Sequence, residues 1–491
     1  MTQARQSPPH DARLHPLAGH RPVPGEFVLY WIQVTLRSRH NPALNWAAER
    51  ANDLGLILAV YHGLRPDYPW ASDRFHTFIL ESAADLAADF RRRDIPYGLH
   101  LGRRRPEPGA TSPLLALARR AALVVTDYLP TFIAPGQARR LQARITAPVV
   151  AVDSATIVPM ASISRAHSTA RGFRTEVLAA LPHHLHPVGE VEPRIRRRVE
   201  FPFDSPLGTS SPAALAAECD IDHGVGPAPE IRGGQLAARA RLDAFLATGL
   251  ARYAEDRGDP NRPEATSGLS PYLHFGNISP QEVLLRAREV APPGQFASFQ
   301  DELLVWRELA HNFCHHDPRH RTLEATPPWA RKELADHEAD PRPAQYSLEE
   351  LEQGQTASPL WNAAQRCYVR DGSMPNYLRM LWGKAILHWS PDAATALQTM
   401  EHLNNKYALD GRDPNSYASF QWILGKFDRP FYRRPVFGTV RYMSLEAARK
   451  KFDVPRWLAG QAAREAALTE AGTPRGGRAA GRGPGKGGGG T

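Results

Sequence analysis

Apolar and polar positions change rhythm along the chain. Between residues 26 and 152, short runs that are apolar at nearly every position alternate with longer stretches of amphipathic spacing. The short runs are Glu26 to Trp31, Leu56 to Tyr61, Tyr97 to Leu101, Ala122 to Thr126 and Val149 to Val152, all of strand length. Between them, Pro42 to Asp53, Phe75 to Arg93, Leu114 to Arg120 and Gln137 to Arg144 are spaced as helices. Alternating strand and helix predict a parallel sheet with helices on both faces. Strands without a polar face fit that arrangement, because both of their sides are covered.

After residue 160 the rhythm breaks. Residues 161–230 hold prolines, short elements and the run His183-His184-Leu185-His186, and they read as an interdomain linker. The histidine run lacks a cysteine or a second ligand pair, so a metal site there is a weak reading against plain polar surface. Residues 231–460 read as helical, with helices expected over Gln235–Ala254, Pro280–Val290, Phe299–His315, Ser347–Thr356, Leu360–Asp371, Asn376–Trp389 and Asp392–Asn404. Residues 1–25 read as a disordered Pro-rich arm, and residues 461–491 as a disordered Gly/Arg-rich tail. The expected fold class is an α/β N-terminal domain, over residues 26–160, joined to an all-α C-terminal domain.

Composition narrows the function classes. The 491 residues carry 60 Lys and Arg against 51 Asp and Glu, a net charge of +9, which favours an anionic partner with nucleic acid first. Hydrophobic residues at 42% and charged residues at 23% are ordinary for a globular protein. Three cysteines without metal-ligand spacing exclude a disulfide framework and suit a reduced, cytoplasmic setting. No apolar run reaches the roughly 20 residues of a membrane span, and no signal peptide is expected. The first strand is not followed by GxGxxG, so an ordinary dinucleotide site is not expected there.

Three stretches of the helical half carry candidate chemistry. Trp382 and Trp389 lie on one expected helix, where seven residues turn about 700° and rise about 10 Å, so they share a face. Trp361 lies in the preceding helix. Spacing alone leaves open whether these indoles form a packed interface or a chain for electrons. The polar stretch Glu401 to Asn415 reads as a capped loop, in which Asn404, Asp410, Arg412 and Asp413 can hydrogen-bond an amide-rich ring and a polyol. Thr266-Ser267-Gly268-Leu269-Ser270-Pro271 offers hydroxyls and backbone N–H groups to a phosphate, a weak motif by itself.

Residues Thr266 to Gly276 resemble the flavin-phosphate loop of the DNA photolyase and cryptochrome family, and Trp306-Arg307-Glu308 resembles its WRE motif. Leu360 to Gln365, Tyr377 to Lys384, Ile386 to Trp389, Leu409 to Asn415 and Gly438 to Met443 resemble the class II cyclobutane pyrimidine dimer photolyases. Tyr30 to Gln33 and Asn41 to Leu44 are similar to the same class. The resemblance spans about residues 26–456.

It implies non-covalent FAD, active as FADH⁻, in the helical domain. Arg379 and Asp410 would pair beside the isoalloxazine, with Asn404 near N5 and Arg379 keeping the reduced ring anionic. Thr266, Ser267, Leu269, Ser270 and Tyr253 would surround the pyrophosphate, and Arg412 is counted with the cofactor residues. Trp382, Trp361 and Trp389 would form the electron chain. Trp306 and Trp422 would wall the substrate pocket, Met380 would line it and Glu302 would hydrogen-bond the dimer. Arg257, Arg429, Arg441 and Lys451 would contact DNA, with Arg433, Arg434, Arg449 and Lys450 in the same basic segment. The implied reaction is light-driven electron transfer to a flipped-out dimer in UV-damaged DNA by a monomer away from membranes. The implied α/β domain holds a deazaflavin or folate antenna, or nothing. The alternatives are a blue-light-sensing cryptochrome and a (6-4) photoproduct photolyase, which generally needs a pocket histidine that the sequence does not place. A non-enzymatic DNA-binding protein has no need of the flavin residues.

Some positions depart from the class II pattern. Its usual Arg-Asn-Asp-Pro turn is Arg257-Gly258-Asp259-Pro260 here, and Met-His-Gly-Tyr is Met374-Pro375-Asn376-Tyr377.

Overall fold

The computed structural model describes residues 10–19, 21–107 and 111–472. Six strands form one sheet in the order β1-β6-β5-β2-β3-β4: β1 Leu14–Pro16, β2 Phe27–Ile32, β3 Ile57–Leu64, β4 Tyr97–Leu101, β5 Ala121–Asp127 and β6 Val149–Val152. The expected strands all form, and the pairs β2–β3, β3–β4, β2–β5 and β5–β6 are parallel. β2 is buried throughout because its alternate residues enter two different cores. Val28, Tyr30 and Ile32 pack on one face of the sheet, and Phe27, Leu29 and Trp31 on the other.

The arm expectation is corrected at its C-terminal end. A 3-10 turn, His10–Arg13, leads into β1, which pairs antiparallel with β6. Arg13 anchors it by donating to the carbonyls of Asp153, Thr156 and Ile157 at 3.0, 2.9 and 2.8 Å. The linker expectation is corrected too, since residues 161–230 contain the helices Ala170–His184 and Pro212–Ala217. Thr169 caps the first, and its apolar face buries Phe173 and Val177. The tail expectation fails over residues 461–472, which belong to the helix Val454–Gly472. The remainder of the expected tail, residues 473–491, and residues 1–9 of the arm lie outside the described residues.

The helical half is packed directly onto the sheet domain. One continuous core joins Phe75, Phe78 and Leu86 with Phe245, Tyr272, Phe275 and Leu309. Buried polar clasps fix the relative position. Arg74 donates to the carbonyls of Tyr368 and Tyr407 at 3.1 and 2.7 Å. Glu308 accepts from the backbone N–H groups of Ile157 and Val158. Burial pushes the Glu308 carboxyl up to about 8 despite those two donors.

Candidate active site

A cavity of about 800 Å³ opens into the helical half. Four local structures build it. The first is the loop Thr266 to Ser270, where Gly268 has φ +62° and a Cβ would sit 2.7 Å from Arg241 Nε. Arg241 holds this loop from behind, donating to the carbonyls of Ser267 and Thr266 at 2.7 and 2.8 Å. Within the loop the Thr266 hydroxyl donates to the Pro263 carbonyl at 3.0 Å and the Leu269 N–H to Ser267 Oγ at 3.3 Å, and Thr266 to Ser270 all line the cavity.

The second is a widened turn. The helix Pro293–Gln300 passes through a π-helical segment, Asp301–Trp306, before resuming as Arg307–His316. Such a bulge re-aims side chains and is frequent at functional sites. Here it presents both Glu302 and Trp306 to the cavity, with Trp306 38% exposed at the rim. Arg257 pairs with Glu302 and lies 5.6 Å over the Tyr253 ring. Burial raises the Glu302 pKa, and Arg257 only partly opposes it.

The third is the tryptophan helix, Asn376–Trp389, which brings Arg379, Met380 and Trp382 to the cavity. Arg379 Nη2 donates to both oxygens of Asp410, at 3.0 and 3.2 Å. Burial alone would lower the guanidinium pKa, but Asp410 outweighs it and the net direction is upward. Arg379 Nε is buried with no partner among the described residues. An orphan cationic N–H beside a paired carboxylate fits the edge of an acceptor-rich heterocycle, so the residues present suit a flavin ring here.

The fourth is Asp410 to Ile423. Asp413 caps the helix Pro414–Ile423, which carries Ser416 and Trp422 to the cavity wall. Asn404 is buried and lines the cavity, but its amide is already engaged. It accepts from the Tyr368 hydroxyl at 2.9 Å and donates to Asn405 Oδ1 and Ser416 Oγ, each at 3.1 Å. Reaching a ring nitrogen therefore means exchanging one of these partners.

The three indoles come together. Trp382 and Trp361 are stacked, 3° from parallel with centroids 6.4 Å apart. Trp361 meets Trp389 edge-on at 5.5 Å. Trp382 Nε1 donates to Gln365 Oε1 at 2.9 Å, which fixes its rotamer. Only Trp382 touches the cavity, so the chain leads outward from it.

Not every expected residue joins the site. Arg412 is a correction: its side chain turns away from this cavity into a box of Phe75, Phe132, Tyr68 and Phe275, 3.8 Å from the Phe75 ring centre. Its backbone has φ +68°, which swings the side chain out of line with Asp410 and Asp413. Arg429 and Lys451 are exposed and do not line the cavity, whereas Arg257 and Arg441 do. A histidine does line it, against expectation. His274 stands 8% exposed, with Nδ1 at 3.1 Å from Asp413 Oδ2.

Tyr368, Gln365 and Arg241 were not singled out from the sequence. Tyr368 had a signal, lying seven residues after Trp361 on the same helix face, while Arg241 is far from the loop it holds.

A second cavity, of about 620 Å³, lies at the carboxyl ends of β2, β3 and β4 and the loop after β5. β3 and β5 flank β2 on opposite sides, so this is the switch point where open α/β sheets take ligands. Among the described residues no cluster suits a metal ion, and no helix is long and apolar enough to cross a membrane.

Residues 28–193 match the family described as DNA photolyase. The deoxyribodipyrimidine photo-lyase of Methanothermobacter thermautotrophicus is 36% identical over 454 residues, covering 91% of this chain and 98% of that one. The protein of the same name from Oryza sativa is 37% identical, covering 92% of each chain. A bacterial class III photolyase structure from Agrobacterium tumefaciens superposes with a TM-score of 0.64 at 20% identity, covering 89% of this chain and 87% of that one. A Synechocystis cryptochrome does so with 0.64 at 16%, covering 88% and 87%. At those identities the two structures speak for the fold alone.

Proposed function

The chain belongs to the DNA photolyase family and is an enzyme of that family, and from this premise we propose that it is a class II type photolyase that repairs cyclobutane pyrimidine dimers in UV-damaged DNA. The observation that carries the proposal is that one cavity gathers the cofactor side and the lesion side. Arg379, Asp410 and the Thr266 to Ser270 loop line it together with Glu302, Trp306, Met380 and Trp422.

A reduced FAD held there by Arg379, Asp410 and the Thr266 to Ser270 loop would supply, under blue light, the electron that opens the cyclobutane ring and would receive it back. The protein's part is binding, orientation and electrostatics. Arg379 offers a fixed positive charge toward an anionic ring, with Asp410 holding its plane. Trp306 and Trp422 grip the flipped, poorly stacked bases by apolar contact. Glu302, whose pKa burial raises, would donate to a base carbonyl in its protonated form. Donation requires Arg257 to release it, and a DNA phosphate is a suitable competitor. The stacked indoles carry an electron from the outer face toward the cavity. The second cavity takes a planar antenna chromophore, a deazaflavin or a folate.

A photosensory reading shares the flavin and the indoles but has no use for Glu302 and Met380 at the same cavity. A (6-4) reading would draw on His274, which Asp413 instead engages. The test is illumination of the purified, photoreduced protein with two oligonucleotides, one bearing a thymine dimer and one a (6-4) photoproduct. Loss of the dimer in the light and not in the dark is expected. Flavin photoreduction without dimer loss, or loss of the (6-4) product alone, overturns the proposal.

A further inference from the structure

Lys384 is the residue after Gly383 on the tryptophan helix, and it is 0% exposed. Among the described residues it has no ion pair. Its Nζ donates to the carbonyl oxygen of Ile423 at 2.8 Å. The same ammonium lies 5.1 Å over the Trp422 ring and 5.9 Å over the Phe437 ring. Gly383 permits the approach, since a Cβ there would stand 3.0 Å from Ile423 Cδ1. The lysine thus reaches from the electron-chain helix to the back of the substrate wall.

A buried ammonium with one neutral acceptor is costly, and a methionine would fill the space without that cost. The surroundings indicate what the charge is for. Trp422 has a second cation near it, Arg441, at 5.7 Å. Arg441 lines the cavity and is chelated by Asp428, at 2.6 and 2.8 Å. Asp428 and Arg441 are the charged groups that act on Lys384, the first favouring its ammonium and the second opposing it. His388, one turn further along the helix, packs on Phe437 at 5.4 Å. Trp422, Phe437 and the Ile423 carbonyl are uncharged.

We propose that Lys384 is a positioning residue for the lesion: its ammonium seats the Trp422 wall, and it holds that wall more firmly once DNA draws Arg441 away from Asp428. The proposal rests on the DNA-repair reading. A phosphate that engages Arg441 frees the Asp428 carboxylate and weakens the one cationic repulsion on Lys384. The ammonium is then favoured, and cation–π attraction fixes the indole against the flipped bases. Burial brings the free-protein Lys384 down to about 7. Below that pH the group is already charged and binding takes up no proton. Above it binding must protonate the amine, so affinity for dimer-containing DNA falls as pH rises through neutrality.

The experiment measures dissociation constants of the flavin-loaded protein for a thymine-dimer oligonucleotide from slightly acidic to alkaline pH. Repair yield per absorbed photon is followed beside it. Wild type is expected to weaken about tenfold per pH unit just above neutrality. Lys384→Met is expected to lose that slope and bind about tenfold more weakly at acidic pH. Lys384→Arg, charged throughout, is expected to bind without the slope. Flavin absorbance of each variant reports folding separately. A Lys384→Met variant that keeps the wild-type slope, or that binds and repairs like wild type, overturns the proposal. If wild type repairs no dimer at all, the DNA-repair reading fails first, and the two failures are distinct.

Discussion

The two cavities face each other across His274, which lines both, yet they are built on opposite plans. The helical cavity is lined by polar groups already in pairs: Arg379 with Asp410, Arg257 with Glu302 and His274 with Asp413. The α/β cavity is lined by strand ends, aromatic rings and an excess of cations, Arg65, Arg140, Arg144 and Arg412 against Asp67, and its inner cation, Arg412, is boxed by rings with no carboxylate partner among the described residues. Paired charges pre-orient donors and shift pKa values, which is what electron and proton chemistry needs. A ring-lined cleft with surplus cations suits a planar ligand that carries negative charge. The two cavities thus differ in how their charges are balanced as well as in domain.

The sharpest way to break this contrast is to unpair a charge in the helical cavity. Asp410→Asn leaves Arg379 buried without its counter-charge, at a cost of about 3 kcal/mol. Thermal melting and flavin content are expected to fall together. A variant that retains flavin and melts like wild type would remove the pair from the cofactor side.

The indole chain is the next test. Trp361→Phe shrinks a fully buried ring and removes its Nε1 donation to the Trp382 carbonyl at 3.2 Å, costing about 2 kcal/mol, so melting falls modestly. Photoreduction of oxidised flavin by an external donor is expected to be lost, as followed by absorbance under illumination. Persistent photoreduction would mean that the stacked rings are packing alone.

Glu302 gives a pH signature. Its folded pKa is raised above the ordinary carboxyl value, so the protonated donor is present at low pH and is lost as pH rises through that value. Repair yield is expected to decline in that direction. Glu302→Gln keeps an N–H donor and is expected to flatten the profile. An unchanged slope in the variant assigns the titration elsewhere.

The smallest expected effect lies in the α/β cavity. Ile133→Trp fills part of that space, and it is expected to lower repair more at limiting than at saturating light. Equal loss at both would mean that the two cavities are coupled through the wall they share.

The two plans also differ in how legible they are in sequence. Apolar runs marked β2 to β6 because each strand is covered on both faces. β1 escaped because three residues, Leu14–Pro16, carry no periodicity and pair at the sheet edge. The helix Ala170–His184 escaped because Pro182 and its histidines resemble linker composition, while its burial comes from residues distant in sequence. In the site, motifs singled out Arg379 and the indoles, which lie on helices, and Asp410, which lies in a turn, and the fold brings Arg379, Asp410 and Trp382 to one cavity. Arg412 lies in a stretch with left-handed backbone and lines the other cavity, a placement that a residue string does not reveal. Lys384 had a signal, one of two cations with Arg379 in a largely apolar helix, but its partners Ile423, Phe437 and Asp428 are tertiary.

The most direct measurement is the fluorescence lifetime of the reduced flavin in the loaded protein, with and without a thymine-dimer oligonucleotide. If cofactor and lesion share the helical cavity, the dimer strand shortens the lifetime and an undamaged strand does not. A lifetime indifferent to the dimer, under conditions where the strand is bound, would contradict the single-cavity arrangement.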